Sequence, residues 1–228
     1  YNYYYRNERI KNNPAALVQL PKLHEKEIIR LGVAEGALLL DEVEQGDKRT
    51  DKQKNYHAKT KTRDLALLTL LLGTGIRVSE CVGLNISDID FKNGGIRIYR
   101  KGGKEVTVYF GTEVRDALLD YREERDRSIP EQGHEDALFL SLQRRRMAVR
   151  SVENLVKKYA RTVAPLKPIT PHKLRSTYGT NLYRETGDIY LVADVLGHSD
   201  VNTTKRHYAA LEDGRRRSAR NKARPRET

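Results

Sequence analysis

The chain has 228 residues, enough for one large domain or one domain plus part of another, and able to bury roughly 70% of its unfolded surface without staples. Its single cysteine, Cys81, excludes an internal disulfide and fits a reducing compartment, and the six scattered histidines show no zinc-ligand spacing. With 43 basic against 31 acidic residues the net charge is +12, an excess that points to an anionic partner, nucleic acid foremost.

In chain order, residues 1–20 read as the end of a helix running into a linker, stopped at Asn12-Asn13-Pro14 because the residue before proline is pushed out of the α region. Tyr1, Tyr3, Tyr4 and Tyr5 suit packing against a neighbouring domain better than stacking on bases. The chain opens on Tyr1 rather than Met, which reads as a piece of something longer. From Gly32 to Gln45 the apolar residues Val33, Ala37, Leu38 and Val43 fall near helical spacing. Residues 47–62 read as a polar, mainly basic loop, either a solvated insertion or a loop lying along a phosphate backbone. The helix expected from about Arg63 to Leu72 is apolar almost all round and therefore buried. Its apolar run is far too short to cross a membrane.

A strand pattern follows: Ile89 to Phe91, Ile96 to Tyr99 and Val106 to Phe110, with turns at Asn93-Gly94 and Gly102-Gly103. Helices are expected at about 112–125, 151–163, 171–186 and 189–196. The fold is thus mainly α with one small three-stranded antiparallel sheet. Three segments result: 1–21 as the tail of a preceding domain and linker, 22–213 as the main domain, and 214–228 as a basic tail with seven basic residues and one acidic.

Four local signals carry chemistry, each weak alone. Gly75-Ile76-Arg77-Val78-Ser79-Glu80 places Arg77 at a helix start after a glycine turn, where free N–H groups and a guanidinium can meet a phosphate. Lys101-Gly102-Gly103-Lys104 puts two lysines at a hairpin tip, a solvated turn or a finger into a DNA groove. Thr170-Pro171-His172-Lys173-Leu174-Arg175 joins an N-cap and an N1 proline to His172 and Arg175, which share the first-turn face. Leu196-Gly197-His198-Ser199-Asp200 precedes Lys205-Arg206-His207-Tyr208. Residues 178–208 alone would also suit a helix-turn-helix that reads DNA without cutting it.

Together, and in this order, the signals resemble the tyrosine recombinase family of phage integrases, Xer-type recombinases and conjugative-transposon integrases. The resemblance covers roughly residues 22–212, with 1–20 similar to the tail of that family's core-binding domain. It implies a helical catalytic domain that cleaves and rejoins double-stranded DNA, working as a homotetramer on two DNA sites. It further implies Tyr208 as the nucleophile, Arg77 and Arg175 on the phosphate, His198 as an added donor, Lys101 as the acid for the leaving oxygen and His172 as an aid to the tyrosine proton. The resemblance calls for no metal or other cofactor and no membrane, and leaves room for accessory DNA-bending or excision factors. A cytoplasmic, nucleoid-associated protein is expected.

Two alternatives stay open within it. Lys104 competes with Lys101, and the gap from His198 to Tyr208 is one residue longer than in many Xer-like members, where His207 would fall at the nucleophile's place. Two other classes compete with the whole: a type IB topoisomerase and a DNA-binding protein without catalysis. A covalent DNA adduct separates the last from the others.

Overall fold

The computed structural model describes residues 1–19, 29–46, 51–100, 102–198, 201, 204 and 205, with only the backbone for 51–53. The described helices are α1 (Asn2–Arg6), α2 (Val33–Gln45), α3 (Asp51–Ala58), α4 (Lys61–Thr74), α5 (Val78–Gly83), α6 (Thr112–Asp126), α7 (Val149–Val163), α8 (Pro171–Thr186) and α9 (Ile189–Leu196). Strands β1 (Ile89–Asp90), β2 (Gly95–Tyr99) and β3 (Glu105–Tyr109) form one antiparallel sheet in that order. No described helix is long and apolar enough to cross a membrane.

Helix α4 is the hub. Ala66, Leu67, Leu68, Leu70 and Leu71 are all buried, and the helix packs against α2, α6 and α8. Each leucine so buried contributes roughly 1.5–3 kcal/mol of transfer free energy, which fixes α4 before any polar contact is counted. Helix α7 closes the core through Val152, Leu155, Val156, Tyr159 and Ala160, a stripe at i, i+3, i+4, i+7 and i+8, and leaves Lys157, Lys158 and Arg161 to solvent. Between α4 and α7, Asp64 accepts from Arg63 Nη2 (2.6 Å) and from the Tyr159 hydroxyl (2.9 Å), so the buried charge is paired and hydrogen-bonded.

The sheet follows the pleat. Ile96 pairs with Val108 and Ile98 with Val106 toward the core, while Arg97, Tyr99, Thr107 and Tyr109 face outward. A second, smaller apolar cluster of Tyr183, Ile189, Val192 and Leu196 joins α8 to α9. Asp188 caps α9, its carboxylate accepting from the N–H of Tyr190 (2.8 Å) and Leu191 (3.1 Å).

Two expectations need correction. Residues 51–58 are helical rather than a loop, because His57 Nε2 donates to the Val43 carbonyl (2.6 Å) and its ring meets Tyr159 edge-on at 6.4 Å. At the start, α1 ends at Arg6 rather than running to Asn12; residues 14–17 form a separate 3-10 turn whose N-cap Asn13 accepts from the Ala15 N–H.

Candidate active site

The site is assembled around the C-terminal end of α9. That helix ends at Leu196, and Gly197 takes the left-handed conformation (φ 61°) that a side chain would resist. The Gly197 N–H donates to the Asp194 carbonyl (2.8 Å) and the His198 N–H to the Ala193 carbonyl (2.9 Å), the paired bonds of a Schellman cap. His198 is therefore placed by backbone, and its ring is set by a hydrogen bond between Nδ1 and the buried Thr204 hydroxyl (2.8 Å). When that hydroxyl donates to Nδ1, the ring carries its proton on Nε2, ready to donate to an anion.

Helix α8 supplies the next two groups. Thr170 has the extended N-cap backbone, and its carbonyl accepts from Lys173 (2.8 Å) and Leu174 (3.1 Å), but its hydroxyl makes no capping bond, contrary to expectation. Pro171 fits the first helical position. One turn on, Arg175 is only 5% exposed, and its Nη1 and Nη2 donate to the carbonyls of Gly75 and Leu196. Two bonds at the two ends of a planar fork fix the guanidinium plane. His172 remains exposed one turn before it.

Arg77 arrives from the other side. Helix α4 is capped by Gly75 (φ 62°), where a Cβ would strike the Tyr178 ring and come within 3.1 Å of Leu196 Cδ2. Two residues later Arg77 is the N-cap of α5. The N–H of Arg77 is not open to a phosphate as the glycine turn suggested: it donates to Glu80 Oε2 (2.7 Å). The same carboxylate accepts from Arg77 Nη1 through Oε1 (2.8 Å), and Nη2 reaches the Gly197 carbonyl (3.3 Å). Glu80 is buried, with 5% of its side chain exposed, whereas 41% of the Arg77 side chain reaches solvent. Glu80 thus aims an accessible cation from a buried base.

Partial desolvation and then the positive charges of Lys173, Arg175 and Arg77 hold the His172 imidazole below its ordinary value, although the ring meets solvent. The folded chain therefore binds that proton less readily than the unfolded chain, and this group's contribution to stability falls as pH drops through the ordinary imidazole range. In the free protein, NMR titration of His172 should give a midpoint below that of a free imidazole. Bound phosphate, of opposite sign to the three cations, should move it upward. A midpoint at or above the free value without DNA would contradict this electrostatic picture.

Arg77, His172, Arg175 and His198 are thus brought to one place, at the junction of α5, α8 and α9. Lys101 and Tyr208 lie outside the described residues, as do Ser199, Asp200 and the basic tail. Lys104 is exposed on β3's side of the hairpin, opposite Arg100. Sequence reasoning missed Glu80 and Thr204. Glu80 at the third position after an N-cap has the capping-box spacing that could have marked it; nothing in the sequence marks Thr204.

Two guanidiniums and two imidazoles are gathered at one helix end, in a mainly helical domain with a small sheet, an arrangement whose positive charge and N–H donors suit an anion. The chain belongs to the phage integrase family, whose model, described as "Phage integrase family", matches residues 41–215, a span that includes all six candidate residues. It is 36% identical over 227 residues to a tyrosine recombinase XerC of Caldanaerobacter subterraneus subsp. tengcongensis, covering 97% of this chain and 59% of that protein. It is also 34% identical over 201 residues to a tyrosine recombinase XerD of Oceanobacillus iheyensis, covering 88% of this chain and 64% of that one. The chain therefore spans about three-fifths of the length of these curated relatives. Among solved structures, the fold is similar to that of XerA recombinase (TM-score 0.70, 28% identity, 93% of this chain and 72% of that one). It is equally similar to that of the Tn1549 transposon integrase in complex with transposon right-end DNA (TM-score 0.71, 25% identity, 97% and 76%).

Proposed function

We propose that this chain is the catalytic part of a site-specific DNA recombinase that integrates and excises a mobile element, acting through a 3′-phosphotyrosyl intermediate. The convergence of Arg77 and Arg175 on adjacent carbonyls, Gly197 and Leu196, carries the proposal. Attack on a phosphodiester builds negative charge on its non-bridging oxygens, and two fixed guanidiniums with His198 beside them stabilise that charge. Tyr208 forms a bond to phosphorus, and the bond from phosphorus to the 5′ oxygen breaks. The tyrosine proton passes toward His172, whose neutral imidazole has a nitrogen lone pair able to accept it. Lys101 donates a proton to the departing 5′ oxygen. Attack by a 5′ hydroxyl from a second duplex reverses each step and releases Tyr208. One phosphate ester replaces another throughout, so the exchange calls on neither ATP nor a metal.

Double-stranded DNA is the partner and a homotetramer on two sites the working assembly, acting in the cytoplasm at the nucleoid. The similarity to the Tn1549 integrase, whose structure is in complex with transposon right-end DNA, supports this reading. Incubating the protein with a library of nicked half-sites and sequencing the covalently trapped DNA should recover a preferred site. Two marked duplexes carrying that site should then exchange strands. Adducts without exchange would fit a topoisomerase instead, and no adduct at all would overturn the enzyme reading.

Binding should also weaken steeply with salt, with a log–log slope of roughly −0.9 per phosphate neutralised. The net charge of +12 leads us to expect a slope reflecting several phosphates, part of it from the 214–228 tail. Titration from low to physiological salt measures it, and a slope near zero would contradict the nucleic-acid reading.

A further inference from the structure

Arg100 immediately precedes Lys101 in the chain and is the last residue of the hairpin before its tip. The Arg100 N–H donates to the Lys104 carbonyl (2.9 Å) and its own carbonyl accepts from the Gly103 N–H (3.1 Å), so Arg100 is tied to the returning side of the hairpin. Gly102 and Gly103 have φ of 86° and 75°, a backbone that leaves the tip without side-chain anchors of its own at those positions. The anchor comes from Arg100. Its Nη2 donates to the Val195 carbonyl (2.7 Å) and its Nη1 to the Asp194 carbonyl (3.3 Å), both at the C-terminal end of α9.

Four consecutive carbonyls, 194 to 197, are therefore held by three arginines from three separate elements: Arg100 on the first two, Arg175 on the third, Arg77 on the fourth. Cations are favoured at this end of a helix, where unsatisfied carbonyls concentrate negative charge. The fit leaves no slack. A Cβ on Gly197 would run into the Arg100 guanidinium, so that glycine is required by the clasp as well as by its φ. The Arg100 Nε is buried with no hydrogen-bond partner among the described residues, and burial depresses the proton affinity of the guanidinium. A docked arginine that carries this cost has to be held in place by its two carbonyl bonds.

We propose that Arg100 is a positioning residue: by clasping the Asp194 and Val195 carbonyls it seats the hairpin on the same helix end that fixes Arg77 and Arg175, so that leaving-group protonation and phosphate binding share one register. The inference rests on the proposed function, in which the hairpin lysine protonates the 5′ oxygen. Its signature is that loss of Arg100 should imitate loss of that lysine.

The test compares single-turnover cleavage of two nicked half-sites, one with the ordinary 5′ oxygen and one with a bridging sulfur there, whose thiolate leaves without a proton. Arg100→Ala should cleave the ordinary half-site on the order of 100-fold more slowly, within the range of general acid catalysis, and the sulfur half-site almost as fast as the parent. Lys101→Ala should give the same pattern, and the double variant should be no slower than Lys101→Ala alone. Arg100→Lys keeps the charge but not the planar fork, so it should lie between parent and alanine; it carries the comparison if Arg100→Ala does not fold. If Arg100→Ala is equally slow on both half-sites while Lys101→Ala or Lys104→Ala is rescued by sulfur, the positioning role is wrong and the proposed function stands. If neither lysine variant is rescued, leaving-group protonation from the hairpin is wrong and the inference falls with it.

Discussion

Tyr208→Phe should abolish the covalent protein–DNA adduct while leaving DNA affinity nearly unchanged. The substitution keeps the ring and removes one oxygen, the atom that would form the ester with phosphorus. On the proposed reading, contacts with the duplex would come from the basic surface, the two arginines and the backbone, none of which the change removes. On a denaturing gel with a nicked half-site the parent should show a slow-migrating adduct and the variant none, at equal occupancy in a native binding assay. Within this sequence, Tyr208 is the one tyrosine that follows His198, which makes it the candidate tested. Persistence of the adduct in Tyr208→Phe would mean that the nucleophile is misassigned.

Arg175→Ala should lose both activity and stability, and the two losses have different origins. Removing one preorganised donor to a developing anion costs about 10²–10³ in rate, and loss of a bidentate charged donor belongs at the upper end or beyond. The stability cost comes from the Gly75 and Leu196 carbonyls, each deprived of its guanidinium partner in a buried setting. A buried acceptor left unsatisfied costs about 1–3 kcal/mol, so the melting temperature should fall by several degrees. Arg175→Lys can reach one carbonyl but not both, and should recover part of the stability with little of the rate. Single-turnover cleavage at saturating protein and thermal denaturation measure the two losses. Parent-like cleavage by a folded Arg175→Ala protein would remove this residue from the site.

Much of this arrangement is legible in the sequence where local rules decide it. The alternation of Ile96 and Ile98 with Arg97 and Tyr99 predicts a half-buried strand, and β2 has that pattern. Pro171 and Gly187 mark the ends of α8, and Gly197 marks that of α9. The HxxR spacing places His172 and Arg175 on one face, but their depths differ because α9 covers only the second. Helix α3 was not legible: its sequence, DKQKNYHA, has no apolar stripe, and its anchor is a single histidine reaching a carbonyl on α2 and a ring on α7. Arg100 was hidden for a similar reason. In the sequence it is one more basic residue beside a lysine, and only the meeting of the hairpin with α9 shows what it holds.

The most direct test of the account is to map the trapped adduct by protease digestion and mass spectrometry. The account predicts a peptide containing Tyr208 esterified to a DNA 3′ phosphate, with a free 5′ hydroxyl on the released strand. A link through a 5′ phosphate, or through any residue other than Tyr208, would contradict it.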